Sequence, residues 1–166
     1  MFREMRRKKQ ALPIEECAAV LRRGSSGVLA VLGDGGYPYA VPLSYVYDGK
    51  KIYFHCAKTG HKLDAIRRES KVSFCVIDLD QVLPEKYTTC YRSVIAFGRA
   101  RILEDEAEKR LALEKLAAKY SPEQTEGRRL EIEKELDAVC MVEIQIEHLT
   151  GKEGLELLRQ REENGN

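Results

Sequence analysis

Short apolar runs separated by glycine-rich turns dominate much of this chain, and several of them alternate with polar residues. Such runs predict strands over residues 27–32, 38–47, 51–56, 71–77 and 89–103. A last, half-exposed strand is predicted around 142–146, where Val142, Ile144 and Ile146 alternate with Glu143, Gln145 and Glu147. The segments Gly33–Gly36 and Asp48-Gly49 are typical of hairpin turns. Gly98 predicts a bulge or bend in the long strand, and residues 78–86 are predicted to form a loop.

Helical signals frame these strands. They predict a helix between Pro13 and Gly24, a short helix capped by Thr59 and a charged helix starting at Ser121. They also predict an amphipathic helix over 104–120, with Ala107, Leu111, Leu116 and Tyr120 near its apolar face. The first three strands follow each other through tight turns, which argues against a parallel sheet because parallel strands need crossover connections. We therefore predict a mainly β, α+β fold, namely an antiparallel six-stranded barrel with helices outside it.

Composition narrows the class of protein. The 166 residues fit one domain, with a basic segment over 1–10 and a polar tail from about 152 that forms at most a short helix. A formal net charge of +1 gives no field that would favour nucleic acid, and no apolar run or leader pattern predicts a membrane partner. Five cysteines, mostly within apolar runs, predict reduced, buried thiols in a cytoplasmic protein.

The basic segment Lys58-Thr59-Gly60-His61-Lys62 stands where the short helix would begin. A helix N-terminus is already positive, and with Thr59 as the N-cap the N3 position holds Lys62 instead of the acid or amide of a capping box. Extra cations at that end favour binding of an external anion such as a phosphate. A solvated basic turn is the alternative interpretation.

Other catalytic patterns are weak. The three histidines, His55, His61 and His148, form no Ser/His/Asp arrangement. His55 and Cys56 are neighbours on a predicted strand, so their side chains point to opposite faces and cannot hold one metal ion together. No metal site is predicted, and an enzyme of this kind would depend on a bound cofactor.

Two long segments carry a resemblance. VPLSYVYDGKKIYFHCAKTGHKLDAIRRESKVSFCV and the later YRSVIAFGRARIL resemble the pyridoxamine 5′-phosphate oxidase-like flavin-binding split barrels. Within that family the chain looks closest to the 5-nitroimidazole reductase branch, through MRRKKQ, FHCAKTGHKLD and HLTGK. The resemblance runs from Met5 to about Lys152.

The resemblance implies FMN bound at the interface of a homodimer. It places a strand backbone along the isoalloxazine ring, a second strand beside the flavin, a basic group at the phosphate, and a segment that approaches from the facing subunit. The strand along the ring is that of Val41, Pro42, Leu43 and Ser44, and the strand beside the flavin carries His55 and Cys56. The basic group at the phosphate consists of Lys58, His61 and Lys62. The segment from the facing subunit contains Arg92, Ser93 and Val94. His55 is implied to lie on the substrate side and is the candidate catalytic residue. We also expect Tyr45, Tyr47 and Tyr53 to form flat strand faces that a second subunit covers. The alternative is that the protein's own helices cover these tyrosines.

One departure from the family bears on activity. True pyridoxamine phosphate oxidases carry a C-terminal Arg-x-His element, whereas this chain ends REENGN, which argues against oxidation of vitamin B6. Two classes of function remain. The first is an FMN-dependent oxidoreductase that reduces a nitroaromatic, a quinone or another small acceptor. The second is a flavin- or haem-binding sensor or carrier without turnover; some relatives of this fold bind deazaflavin.

Overall fold

The computed structural model describes residues 2–164, apart from the side chains of residues 125, 126, 128 and 164. Within this part of the chain seven antiparallel strands form one sheet, accompanied by five α-helices. The strands are β1 (Ser26–Leu32), β2 (Pro38–Ser44), β3 (Val46–Tyr47), β4 (Lys51–Ala57), β5 (Lys71–Leu83), β6 (Thr88–Ile102) and β7 (Val139–Glu153). The helices are α1 (Ile14–Arg23), α2 (His61–Arg68), α3 (Glu106–Tyr120), α4 (Thr125–Ala138) and α5 (Leu155–Asn164).

The order of the strands shows that the sheet curls on itself. It runs β2-β1-β5-β6-β7-β4-β3, so β2 and β3 lie at opposite ends although only Tyr45 separates them in the chain. The two ends of the sheet must therefore meet at Tyr45, which gives the predicted split barrel. The expected strand over 38–47 is broken at this residue, and this accounts for seven strands where six were predicted.

The break at Tyr45 is held by neighbouring helices. The Tyr45 N–H donates to the Tyr120 hydroxyl at 3.0 Å, and the Tyr45 hydroxyl donates to the carbonyl of Leu21 at 2.8 Å. Lys119 donates to the Tyr45 carbonyl at 2.9 Å. The backbone groups that leave the sheet here are thus satisfied by α3, as buried polar groups require.

Two apolar clusters follow from strand alternation. The barrel interior contains fully buried Leu29, Phe54, Phe74, Val94 and Val142 among others. The second cluster lies between the sheet and the α3–α4 hairpin. Its members are Val46, Tyr53, Leu103, Ala112, Leu113, Leu116, Ile132, Leu136 and Met141.

The tyrosines expected at a subunit interface are covered within the chain. Tyr45 is 0% exposed and Tyr53 is 7% exposed, while Tyr47 is half-buried against the barrel interior. The alternative interpretation, in which the chain itself covers these tyrosines, is therefore the right one. They give no reason to expect a second subunit.

The predicted loop over 78–86 is wrong for residues 78–83, the first two-thirds of it. β5 continues to Leu83 and pairs with β6 after a register shift between Ile77 and Leu79. Val82 and Tyr87 near the end of this hairpin are exposed, whereas Cys90 is 6% exposed and Lys86 pairs with Glu156 of α5 at 3.4 Å. The bulge at Gly98 is confirmed by a register shift, and a Cβ there would meet the Gln145 carbonyl at 2.1 Å.

Helix starts and faces also differ from the predictions. The charged helix begins at Thr125 rather than Ser121, and α2 is capped by Gly60 rather than Thr59. On α3 the buried face contains Leu113 and Leu116, whereas Leu111, expected on that face, is exposed.

Glu143, expected on the solvent side of β7, is 4% exposed and accepts from Lys51 at 2.9 Å and Arg101 at 3.1 Å. These two cations allow a carboxylate to be buried beneath α3.

Candidate functional site

β2 approaches β4 where the two ends of the sheet meet. On β2, Pro42 and Ser44 are exposed, whereas Val41 and Leu43 pack against the barrel interior. On β4, His55 points outward between buried or half-buried neighbours. Alternation along the two strands therefore places Pro42, Ser44 and His55 on one surface.

A cavity of about 350 Å³ opens on this surface, below the α3–α4 hairpin. Its volume is sufficient for a small organic molecule. The exposed surface of the lining is mainly apolar, although some of the lining side chains are polar. The lining residues are Ser44, His55, Leu113, Leu116, Ala117, Tyr120, Glu131, Ile132 and Glu135.

The N-terminus of α2 forms the basic part of the site. Gly60 is the N-cap of α2, and its positive φ of 129° is a conformation that favours glycine. It has no side chain that could accept a hydrogen bond from the first turn of the helix. Its carbonyl accepts from the N–H groups of Leu63 and Asp64, at 3.0 and 3.2 Å. Among the described residues, nothing accepts from the N–H groups of His61 and Lys62, so two donors remain open at the positive end of the helix.

Two lysines accompany these donors. Lys58 is exposed and Lys62 is half-buried, and neither makes an ion pair or side-chain hydrogen bond with any described residue. Lys58 and Lys62 stand on either side of Gly60 in the chain, and together with the two free N–H groups they form a basic helix start suited to a phosphate.

His61 is engaged elsewhere. Its ring stacks on Tyr39 at 4.2 Å between centroids, and its Nε2 accepts from the Asp34 N–H at 3.2 Å. Arg68 adds an ion pair to the Asp34 carboxylate at 2.8 Å. In this arrangement His61 holds the turn between β1 and β2, and its contact with a phosphate stays a prediction.

Cys56 faces the other way from His55, as alternation predicted. It packs against the barrel interior opposite Cys140 of β7, and burial raises the pKa of the Cys56 thiol to about 11. A thiol of this kind is protonated near neutral pH and is a poor nucleophile. Within the described part of the chain, no three histidine, cysteine, aspartate or glutamate residues are grouped so that they could hold a metal ion.

The remaining predicted residues lie on β6, away from this surface. β6 is separated from β2 by two strands and from β4 by one. Arg92 pairs with Asp78 at 3.3 Å and lies 3.7 Å from Glu153, Val94 is buried in the barrel, and Ser93 is half-buried. One chain alone does not bring these three residues to Ser44 and His55.

The comparison with protein families decides the identity of the fold. The family model described as "Pyridoxamine 5'-phosphate oxidase" matches residues 13–153. The chain belongs to the pyridoxamine 5′-phosphate oxidase family. Proteins of this family bind flavin, and they are commonly dimeric. No curated protein matches the chain.

Solved structures with this family's fold are similar along most of the chain. A candidate 5-nitroimidazole antibiotic resistance protein from Bacteroides thetaiotaomicron is 19% identical, with 86% of this chain and 85% of that chain covered and a TM-score of 0.74. A flavocytochrome from Azotobacter vinelandii is 22% identical, with 91% and 72% covered and a TM-score of 0.78. An FAD-binding protein from Mesorhizobium loti is 26% identical, with 86% and 94% covered and a TM-score of 0.63.

The residues present fit the flavin that the family binds. The open end of α2 with Lys58 and Lys62 suits a phosphate, and the outward face of β2 offers an accessible strand for a planar ring. The helices of the described residues include none that is long and apolar enough to cross a membrane.

The sequence did not predict the helical wall of the cavity. Leu116 and Tyr120 were placed on the apolar face of α3, but that face was not linked to His55. Glu131 and Glu135 belong to a helix that was interpreted only as charged and solvated. A sequence signal for this wall exists, because Ile132 and Leu136 are spaced four residues apart and mark an apolar stripe on α4 next to Glu131 and Glu135.

Proposed function

We propose that the protein is an FMN-dependent oxidoreductase that reduces a nitroaromatic, a quinone or another small acceptor. The observation that carries the proposal is the open, basic N-terminus of α2, which follows β4, the strand with His55, and whose first residue His61 stacks on Tyr39 of β2. A cofactor anchored by its phosphate at this helix start would have its ring near β2 and β4. FMN would supply the redox chemistry, and the chain would supply binding, orientation and a pocket for the acceptor.

In this proposal the phosphate is held by Lys62, Lys58 and the free N–H groups at the start of α2. The ring lies along the backbone of β2 from Val41 to Ser44, where Pro42 and Ser44 are exposed on the outward face. Cys56 contributes through its backbone, because its side chain points into the barrel. His61 keeps the β1–β2 turn in place and reaches the phosphate only if it leaves Tyr39.

We further propose that the protein is a homodimer in which β6 of the second copy completes the site. This would bring Ser93, flanked by Arg92 and Val94, to the flavin of the other subunit. The outward face of β1, β5 and β6 supports the proposal, because it exposes Leu32, Ile77 and Ile95. Light scattering at micromolar concentration should give the mass of two chains, and a monomeric mass with flavin bound would contradict it.

His55 is the proposed residue on the acceptor side. It lines the cavity together with apolar side chains, so its imidazole could donate a hydrogen bond or a proton to an acceptor in the cavity. Changing His55 to Ala should lower turnover of a nitroaromatic or quinone by about 10-fold or more, with FMN affinity unchanged. Turnover and flavin content are measured on the same preparation. Full activity would show that His55 is structural, and loss of flavin alone would make it a cofactor ligand.

The general test is release of the cofactor and identification of its mass, followed by an anaerobic screen of acceptors after reduction. FMN and turnover of at least one acceptor class support the proposal. The alternative is a flavin- or haem-binding sensor or carrier, a possibility favoured by the similarity to a flavocytochrome fold. A haem absorption band, or FMN that is reduced but passes electrons to no acceptor, would support that alternative.

A further inference from the structure

The cavity at His55 has a one-sided charge pattern. α4 provides Glu131 and Glu135 at one wall, whereas β2, β4 and α3 provide Ser44, His55 and otherwise mainly apolar side chains. Of the described side chains that line the cavity, two are carboxylates and none is a lysine or an arginine. Glu135 is half-buried, and no described residue forms an ion pair with it.

The lysines on neighbouring positions are already engaged. Lys119 donates to the carbonyls of Gly24 and Tyr45 and lies 4.0 Å above the Tyr45 ring, and burial lowers its pKa. Lys109 donates to the carbonyl of Leu136. Lys134 is exposed and lies 3.5 Å from Glu131, so Glu131 is partly neutralised. The uncompensated charge at the cavity is therefore that of Glu135.

Shape adds a second restriction. Leu113, Leu116 and Ile132 bring apolar surface to the cavity, and the Tyr120 side chain adds an aromatic wall. A planar apolar ring would bury its faces against these residues, while a polar substituent would lie towards the carboxylates. A carboxylate or phosphate on the ligand would share the cavity with the half-buried Glu135, and like charges repel more strongly there than in bulk water.

We propose that this cavity selects planar, apolar acceptors that are uncharged or positively charged, that it rejects phosphorylated and carboxylated ones, and that Glu135 sets this preference. The assignment of the ligand as an electron acceptor rests on the proposed function; the charge preference does not.

The test compares three ligands with one ring. Direct calorimetric binding of 4-nitrobenzylamine, 4-nitrobenzyl alcohol and 4-nitrobenzoate is measured on the protein as purified, with its flavin content recorded. The expected order is amine, then alcohol, then benzoate, with at least about 10-fold between the amine and the benzoate. The same order should appear in a ligand-induced rise of the unfolding temperature.

Variants assign the preference to its source. Glu135→Gln should reduce the ratio of amine to benzoate affinity to about 3-fold or less, and Glu131→Gln should reduce it by a smaller factor because Lys134 already pairs with that residue. Asp137→Asn, an exposed position on α4 outside the cavity lining, is the matched control and should leave the ratio unchanged.

Benzoate that binds as tightly as the amine, an unchanged ratio in Glu135→Gln, or no binding of any of the three would overturn the proposal. Failure of the proposed function looks different. If the purified protein contains no flavin but still shows the charge preference, the proposed FMN-dependent activity is wrong and the inference about the cavity stands.

Discussion

Replacing Lys62 with Glu is expected to give a folded protein that contains no flavin. Each hydrogen bond between a charged donor and a phosphate contributes about 1.5–3 kcal/mol, and the substitution also adds a like charge at the anion site. Affinity for FMN should therefore fall by at least about 100-fold, since each 1.4 kcal/mol is about a factor of ten. Folding should not suffer, because an acidic residue in the first turn interacts favourably with the helix dipole.

The control for this variant is Lys50→Glu. Lys50 is exposed in the turn between β3 and β4. Its substitution by Glu changes the net charge by the same amount as Lys62→Glu, but at a position away from α2. Flavin content per chain, circular dichroism and the unfolding midpoint are compared for both variants and the original protein. If Lys62→Glu retains FMN with the original affinity, the phosphate is bound elsewhere.

Replacing Glu153 with Ala is expected to destabilise the protein by about 1–3 kcal/mol, because Arg92 keeps its ion pair with Asp78. Glu153 is 1% exposed, and its carboxylate lies 2.9 Å from Arg161 and 3.7 Å from Arg92. Removing the Glu153 carboxylate takes one acidic partner from the half-buried Arg92. The buried Nε of Arg92 already makes no hydrogen bond to a described residue. The free energy of unfolding from urea titration measures the loss.

Glu147→Ala is the matched comparison on the same strand. Glu147 pairs with Arg99 at 2.8 Å, but both side chains are largely solvated, at 39% and 52% exposed. An exposed pair contributes less than about 1 kcal/mol, so this variant should unfold near the original midpoint. Equal effects of the two substitutions would show that burial of Glu153 is not what makes it important.

The fold was largely predictable because alternation and turn residues are local signals. The runs before and after Gly33–Gly36 predicted the hairpin of β1 and β2, and Gly98 predicted the bulge in β6. The β5 extension was missed because Asp78, Asp80 and Gln81 give it a polar composition typical of a loop, while its pairing with β6 depends on residues further along the chain. Glu143 was misplaced because its burial depends on Lys51 and Arg101, which lie far from it in the sequence.

The candidate site was predictable only in part, for a similar reason. The cations around Gly60 are contiguous in the sequence, so their position at a helix N-terminus could be derived before the structure was known. The contact of His61 with Tyr39 and Asp34 depends on how α2 packs against the β1–β2 turn. The cavity depends on the docking of α3 and α4 over His55, and no local pattern specifies that arrangement.

The most direct test of the central claim is a titration of the flavin-free protein with FMN and with riboflavin, which has the same ring but no phosphate. If the open end of α2 and its lysines hold the phosphate, FMN should bind at least about 100-fold more tightly than riboflavin. The difference should nearly vanish in Lys62→Glu and persist in Lys50→Glu. Equal affinity for FMN and riboflavin in the original protein would contradict the account, because it would show that the N-terminus of α2 binds no flavin phosphate.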